Sequence, residues 1–366
     1  MMRLAALALL TALACLAQPA KLDDQTSIQI EALNRLKGID LESNSALKGA
    51  VLRVLEKTRG TPQFVELVRE FKLPGQGTAL LDYALKYPGE TSGIEAFRLA
   101  IAELGKSALD PLLAGEKASA TVELIGNSNE KELQPILRGI VENEAKPPTL
   151  RKDAVRALAR TQDGARFLLD LAREGKLGQD VKLAASSELN RAPWPEIKKQ
   201  ALEVLPLPQT QNAEALPPIA ELVKRKGDIA HGRAVFESPT AACSSCHQVN
   251  GKGSDVGPAL SEIGTKLGKD ALYESILDPS AGISFGYEGW SIELTNGDEA
   301  YGLITSETTD EIAVKNQTGV LTKYKKADVA KRQKSATSIM PTGLQLTMST
   351  QDLVDLVQYL ASLKKQ

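Results

Sequence analysis

Residues 243 to 247 read Cys243, Ser244, Ser245, Cys246, His247: two soft sulfur nucleophiles close together, followed at once by an imidazole. In a C-x-x-C-H pentad the two thiols add to the vinyl groups of a porphyrin, and the histidine ligates its iron. Two intervening residues let the sulfurs reach opposite edges of one porphyrin while His247 comes over its face. Three other readings compete. A redox-active C-x-x-C belongs beside a βαβ pattern, which the flanking sequence lacks. Structural zinc takes four ligands, yet beyond the first twenty residues the remaining histidine is His231 and no further cysteine exists. A plain disulfide leaves the histidine without a role. Haem attachment uses all three residues, so the pentad predicts one covalently attached haem c bound by Cys243, Cys246 and His247.

The second axial ligand must come from elsewhere, and the candidates are Met340, Met348 and His231. Met340 lies in Ser338-Ile339-Met340-Pro341-Thr342-Gly343-Leu344, where proline and glycine hold the backbone out of a helix. That loop makes it the leading candidate, with His247 and Met340 as the metal ligands. Met348 stands just before a helix cap, and His231 lies on a helix. A thioether favours reduced iron and raises its potential, and a six-coordinate iron has no open position for a substrate. The expectation is an electron-transfer protein and no enzyme. The alternatives are a five-coordinate, peroxidase-like haem enzyme, a gas or redox sensor, and a scaffold with a structural haem.

These residues need elements to hold them. From 25 to 205 the chain is a succession of short amphipathic helices. Leu47, Ala50, Val51, Val54 and Leu55 share one helical face, as do Phe64, Leu67, Val68 and Phe71. Phe97, Ala100, Ile101 and Leu104 repeat the pattern, and so do Leu133, Ile136, Leu137 and Ile140. Thr61-Pro62 opens a helix, and Gly60, Gly105 and Gly175 stand where helices should stop. Starts near 27, 44, 62, 76, 92, 129, 148, 163, 179 and 194 place two helices in about every 35 residues. That period predicts a helical-hairpin solenoid and resembles HEAT-type repeats, with an irregular all-helical domain as the competing reading. Nothing in this region looks catalytic, so it is expected to be a docking scaffold.

A linker is expected over 206–226, where four prolines fall between 206 and 218. Beyond it come helices at 228–237 and 269–277 and a β insertion over 287–335. Trp290, Ile292 and Leu294 alternate with polar residues up to Asn296-Gly297, a hairpin signal. Further strands are expected at 299–305, 311–315 and 320–325. A last helix at 350–363 opens with a capping-box pattern, Ser349 and Asp352. The fold class is mainly α.

Several motifs in this C-terminal part stand together: Gly227-Asp228, Gly232-Arg233-Ala234-x-Phe236, the C-x-x-C-H pentad and Gly257-Pro258-x-Leu260. To these add Ile276-Leu277-Asp278-Pro279-Ser280 and Met340-Pro341-x-Gly343-Leu344. On these residues 227–366 resemble the planctomycete and verrucomicrobial type of haem-binding cytochrome c domain. The resemblance implies a class I-like cytochrome c fold in which the Pro258 carbonyl accepts the second ring N–H of His247. It also implies that Gly232 and Phe236 meet Tyr359 where the terminal helices cross, and that a small β insertion separates histidine from methionine. Members often follow helical repeats, and some are fused to sugar-dehydrogenase-like propellers. This chain has no such propeller pattern, so no substrate-oxidising activity is expected of it.

With 366 residues, 42% hydrophobic and 25% charged, the chain has the make-up of an ordinary globular protein of two or three domains. A net charge of -2 argues against a dedicated nucleic-acid binder. Arg3, an apolar run over 4–17 and small residues after it read as a signal peptide over 1–20. The protein is therefore expected to be periplasmic or otherwise exported. Ala12-Leu13-Ala14-Cys15 loosely resembles a lipoprotein box, and membrane attachment is expected only if Cys15 is lipidated. The expected partners are redox proteins, a separate periplasmic dehydrogenase among them. Lys323, Lys325, Lys326, Lys331, Arg332 and Lys334 form a basic run suited to steering an acidic partner, or simply a solvated face.

Overall fold

A computed structural model describes residues 22–36, 38, 39, 41, 43–206 and 216–365. The signal peptide expected at 1–20, Cys15 with it, lies outside the described residues, as do residues 207–215 of the expected linker. Two compact units divide the chain, one up to Ala79 and one from Leu80 onward. Among the described residues no helix is long and apolar enough to cross a membrane.

In the first unit α1 (Asp24–Asn34) packs on α2 (Ser45–Lys57), and α2 on α3 (Pro62–Phe71). Side chains placed at the helix starts satisfy free amides. Asp23 accepts from the Thr26 N–H at 2.7 Å and Asn44 from that of Leu47 at 2.9 Å. Val51, Val54, Leu55, Phe64, Leu67, Val68 and Phe71 are buried, as their periodicity predicts.

Helix α4 (Gly77–Lys86) includes the boundary residues, and the second unit continues with α5 (Thr91–Leu104), α6 (Asp110–Leu113), α7 (Ala118–Ser128) and α8 (Gln134–Glu142). After these come α9 (Pro148–Leu158), α10 (Gln162–Arg173), α11 (Gln179–Asn190) and α12 (Pro195–Val204). Alternate helices lie side by side: α7 packs on α5 and α9, α9 on α11, and α10 on α12. Both α6 and α7 were unforeseen in the sequence, and α8 begins later than the expected start near 129. The reason is visible at Gly126, where an added Cβ would stand 2.6 Å from the Ala157 Cβ. Small residues make this contact, so α7 shows little of the bulky apolar stripe that marks its neighbours. Leu104 departs from its stripe, being 37% exposed in the last turn before Gly105, whose φ of 78° ends the helix.

The rest of the second unit holds α13 (Ile219–Leu222), α14 (Ile229–Glu237), α15 (Ile263–Lys266), α16 (Lys269–Leu277) and α17 (Thr350–Ser362). The short α13 falls inside the expected linker, and its Leu222 is fully buried against the core of α14, α16 and α17. The capping box is present both ways: Ser349 Oγ accepts from Asp352 N–H at 3.0 Å, and Asp352 Oδ2 from Ser349 N–H at 2.9 Å. Helices α14 and α17 cross at Gly232, where a Cβ would stand 1.9 Å from the Asp355 carbonyl oxygen. One turn on, the Phe236 and Tyr359 rings meet at 5.8 Å.

Between α16 and α17 the chain forms a five-stranded antiparallel sheet of order β4-β3-β2-β1-β5. Its strands are β1 (Glu288–Leu294), β2 (Glu299–Glu307), β3 (Glu311–Lys315), β4 (Leu321–Lys325) and β5 (Val329–Ser338). The Asn296-Gly297 hairpin turn is as expected, with Gly297 at φ 85°. Strand β5 goes beyond the strands expected from the sequence: Lys331 to Lys334 pair with β1 through the backbone and remain exposed. As an edge strand exposed along most of its length it carries no alternating apolar signal. Lys326 and Arg332 bind Glu307, and Lys334 binds Glu288.

The sheet is fastened to the helical rows of the same unit by polar contacts at helix starts. Asp298 Oδ1 accepts from the Lys131 N–H at 2.7 Å and Glu299 Oε2 from the Gln162 N–H at 2.8 Å. Carboxylates at helix N-termini meet both free amides and the positive end of the helix dipole. Leu321 N–H donates to Thr91 Oγ1 at 2.9 Å, and Thr337 Oγ1 to the Pro193 carbonyl at 2.8 Å.

Replacing Gly232 by alanine forces a methyl into the backbone of α17. Overpacking of this kind costs about 1 to 3 kcal/mol, so Gly232→Ala should lower the urea midpoint by the equivalent of about 3 kcal/mol. An unchanged midpoint would show that α14 and α17 do not meet there.

Candidate haem centre

Five residues separate the end of α14 from the pentad. Ala242 sits in the left-handed region at φ 55°, which turns the chain sharply before Cys243. The Cys246 and His247 amides then both donate to the Cys243 carbonyl, at 3.2 and 2.9 Å. This single helical turn sets both sulfurs and the imidazole on neighbouring positions. The sulfurs are unbonded thiols, so the disulfide reading is not the state seen here. Among the described residues no group of three or more His, Cys, Asp or Glu side chains is gathered for a metal, which leaves structural zinc without ligands.

Each thiol meets a different apolar cluster. Cys243 packs against the core of α14, α16 and α17, and Cys246 against Val256, Tyr301, Leu303 and Ile339. Burial pushes the Cys243 thiol up to about 11 and shifts Cys246 in the same direction. Both are S–H at neutral pH, the form whose sulfur and hydrogen add together across a vinyl double bond.

His247 is positioned by the loop that follows it. Gly257 N–H donates to the Cys246 carbonyl at 2.7 Å and Leu260 N–H to that of Gln248 at 2.8 Å, folding residues 248–260 back over the imidazole. A Cβ on Gly257 would stand 2.5 Å from His247 Cε1, so this glycine is required by the ring itself. His247 Nδ1 lies 2.8 Å from the Pro258 carbonyl oxygen. A carbonyl only accepts, so Nδ1 carries the proton and Nε2 keeps its lone pair. Burial lowers the imidazole pKa, and the Pro258 bond opposes that shift. Two neutral thiols, a neutral imidazole with Nε2 open and a cradle that a Cβ would fill together fit a haem c.

The other predicted residues divide. Met340 and Met348 both pack against the cluster that holds Cys243, and Met340 is further fixed by its N–H donating to Ser338 Oγ at 3.1 Å. His231 is drawn away: its Nδ1 lies 2.7 Å from Asp355 Oδ2 and its Nε2 3.7 Å from Asp352 Oδ1. Both ring nitrogens are turned to carboxylates, which removes it as an iron ligand. Asp355 escaped the sequence reading because a single acid on the apolar helix α17 follows no motif. Its one signal was position, since it shares the crossing with Gly232. Tyr301 and Trp194 were missed as well, for their contact joins segments far apart in the chain. Trp290, expected in the β core, is half-buried with the Arg332 guanidinium over its ring at 5.7 Å.

Residues 229–291 match the family model for cytochrome c. The match takes in Cys243, Cys246, His247 and Pro258 and ends before Met340. It supports a haem-binding cytochrome c domain, a family whose haem c is covalently bound. No curated protein matches the chain.

The His231–Asp355 pair gives stability a defined pH dependence. The Asp355 hydrogen bond raises His231; burial opposes it, and the charges of Asp355, Asp352 and Asp228 add to the rise. That contribution is complete below about pH 6.5 and is lost as pH rises through the folded-state value. Burial would raise Asp355, but the Asp228 amide, His231 and Gln351 outweigh it and hold the carboxyl low. Its contribution is present above about pH 4 and lost on acidification. The difference in urea midpoint between wild type and His231→Ala should be widest at about pH 5 to 6 and shrink toward pH 9. A difference that grows with alkalinity would contradict the pairing.

Proposed function

We propose that the chain is an exported c-type cytochrome with a single haem, passing one electron at a time between partner proteins and catalysing no reaction of its own. The observation that carries this is the His247 Nδ1–H bond to Pro258, 2.8 Å long, beside two buried thiols. Haem c bound there supplies reversible one-electron chemistry at iron. His247 offers Nε2, and the Pro258 bond keeps that nitrogen aimed and more basic. Met340 is the proposed second axial ligand, supported by its place in the Cys243 cluster, with Met348 as its rival there. Leu260, Ile263 and Leu267 pack in the same cluster.

The domain is proposed to be of the planctomycete and verrucomicrobial type, a reading supported by the sheet lying between histidine and methionine. The helices over 25–205 are taken as HEAT-like repeats serving as a docking scaffold, which the side-by-side packing of α5, α7, α9 and α11 favours. Lys323, Lys325 and Lys331 are exposed and suit an acidic partner, for which a separate periplasmic dehydrogenase is the proposed electron donor. Periplasmic location rests on the leader pattern, and membrane attachment on lipidation of Cys15.

Wild-type protein should keep one haem stain per chain on a denaturing gel, and Cys243→Ser/Cys246→Ser none. Its spectrum should be low-spin, with a methionine-to-iron charge-transfer band that survives carbon monoxide. Met340→Ala should lose that band and bind carbon monoxide, whereas Met348→Ala keeps it. A band retained in Met340→Ala would remove Met340 from the site. Rapid, tight carbon monoxide binding by wild type would favour a five-coordinate enzyme or sensor instead.

A further inference from the structure

Lys315 closes β3 in an unusual setting for its type. Its side chain is 15% exposed, although a lysine ordinarily keeps its ammonium in water. Directly opposite on β2 stands Leu303, and cross-strand partners share one face of a sheet. Lys315 therefore borders the cluster of Val256, Tyr301, Leu303 and Ile339 on which Cys246 packs. Its Nζ donates to Asp255 Oδ2 at 2.7 Å and to the Asp255 carbonyl at 3.4 Å. Asp255 belongs to the loop that folds over His247, three residues before Pro258. The turn after β3 touches the same loop again, since a Cβ on Gly319 would stand 3.7 Å from Val256 Cγ2. That turn is itself held: Asn316 Oδ1 accepts from the Thr318 and Val320 amides at 3.0 and 2.9 Å. The Thr318 hydroxyl lies 3.1 Å from Oδ1 of Asn127 in α7, a residue 1% exposed whose Nδ2 donates to the Pro88 carbonyl at 3.2 Å. A continuous line of contacts thus runs from α7 through this turn to the loop beside the imidazole.

Resting on the haem c reading, we propose that Lys315 is a positioning residue for the axial imidazole: by pinning Asp255 to β3 it holds the Pro258 carbonyl against His247 Nδ1. The Pro258 bond keeps Nε2 basic, and a more basic nitrogen stabilises oxidised iron. Loosening the loop therefore raises the potential. Charge alone works the other way, because removing a cation from this side of the site favours the oxidised state and lowers the potential. The sign of the change separates the two effects. Lys315 and the turn after it lie outside residues 229–291 that match the cytochrome c family, so this hold on the histidine belongs to the sheet, with Asn127 as its seat on the helical rows.

Lys315→Met keeps the apolar stem and loses the ammonium, and Thr318→Val releases the turn from Asn127 without altering charge. Both variants should retain covalent haem. Lys315→Met should raise the reduced-to-oxidised ratio at a fixed potential by about threefold, a rise of about 28 mV in midpoint at 59 mV per decade. Thr318→Val should raise it as well, whereas Lys315→Arg, which keeps the ion pair, should stay at the wild-type value. Deuterium exchange at the His247 ring N–H of the reduced protein, followed by NMR, should quicken in the first two variants by about threefold, the equivalent of losing a partly exposed ion pair. A lower or unmoved midpoint in either variant, unmoved ring exchange, or a Lys315→Arg protein that departs from wild type each overturns the proposal. Should Lys315→Met fail to fold, Thr318→Val decides on the same two readouts. Absence of haem stain in the wild-type protein is a separate result, which would sink the haem reading itself.

Discussion

One imidazole, gripped on one side by backbone, governs how the surrounding chain must run. The Pro258 carbonyl can bond His247 Nδ1 at 2.8 Å only if residues 248–260 double back, and that return is held by amide bonds to the carbonyls of Ser244, Cys246 and Gln248. Backbone passing so close to a ring tolerates no side chain at Gly257. Gly253 is bound by a related limit: at φ 104° its Cβ would stand 2.3 Å from the His247 carbonyl oxygen. With the proton fixed on Nδ1, Nε2 is left with its lone pair. A metal is the natural partner for such a nitrogen.

The frame around that loop is closed by backbone proximity as well. Gly227, Gly232 and Gly264 each approach a carbonyl of α17, where added Cβ atoms would stand 2.8, 1.9 and 2.3 Å from the oxygens of Val354, Asp355 and Ala361. Three separate segments therefore converge on one helix, which keeps the end of α14 and so the start of the pentad in register. On the other side, the sheet is anchored by Asp298 and Glu299 at the starts of helical segments. Free helix amides need partners, and here they find them in residues distant in sequence. This polar fastening suits a contact between two elements that each have their own apolar core.

What the sequence revealed follows from how local the physics was. The pentad, the Gly257-Pro258 loop, the capping box at Ser349 and the Asn296-Gly297 turn depend on neighbours in the chain, and all were readable. So were helices with bulky stripes, such as α3. Helix α7 was hidden because Gly126 and Ala157 replace bulk with close approach. Strand β5 was hidden because an edge strand with few buried residues shows no period. The pairing of His231 with Asp355, and of Trp194 with Tyr301, joins residues over a hundred positions apart. No spacing rule reaches that far. Met340 was legible as a candidate through its proline and glycine, but its sharing one cluster with Met348 was not.

The two cysteines show how burial can serve two ends at once. Thiols two residues apart, in the oxidising compartment proposed for this chain, are at risk of joining to each other. The attacking species in disulfide formation is the thiolate, and desolvation pushes Cys243 to about 11 and raises Cys246. The same burial directs the sulfurs into different clusters, one formed by the terminal helices and one by the inner face of the sheet. A ring attached through both sulfurs would lie against both clusters and tie them together. The sheet is then more than an insertion tolerated between two ligands. It would supply one wall of the site, since Cys246 packs with Tyr301 and Leu303 of β2.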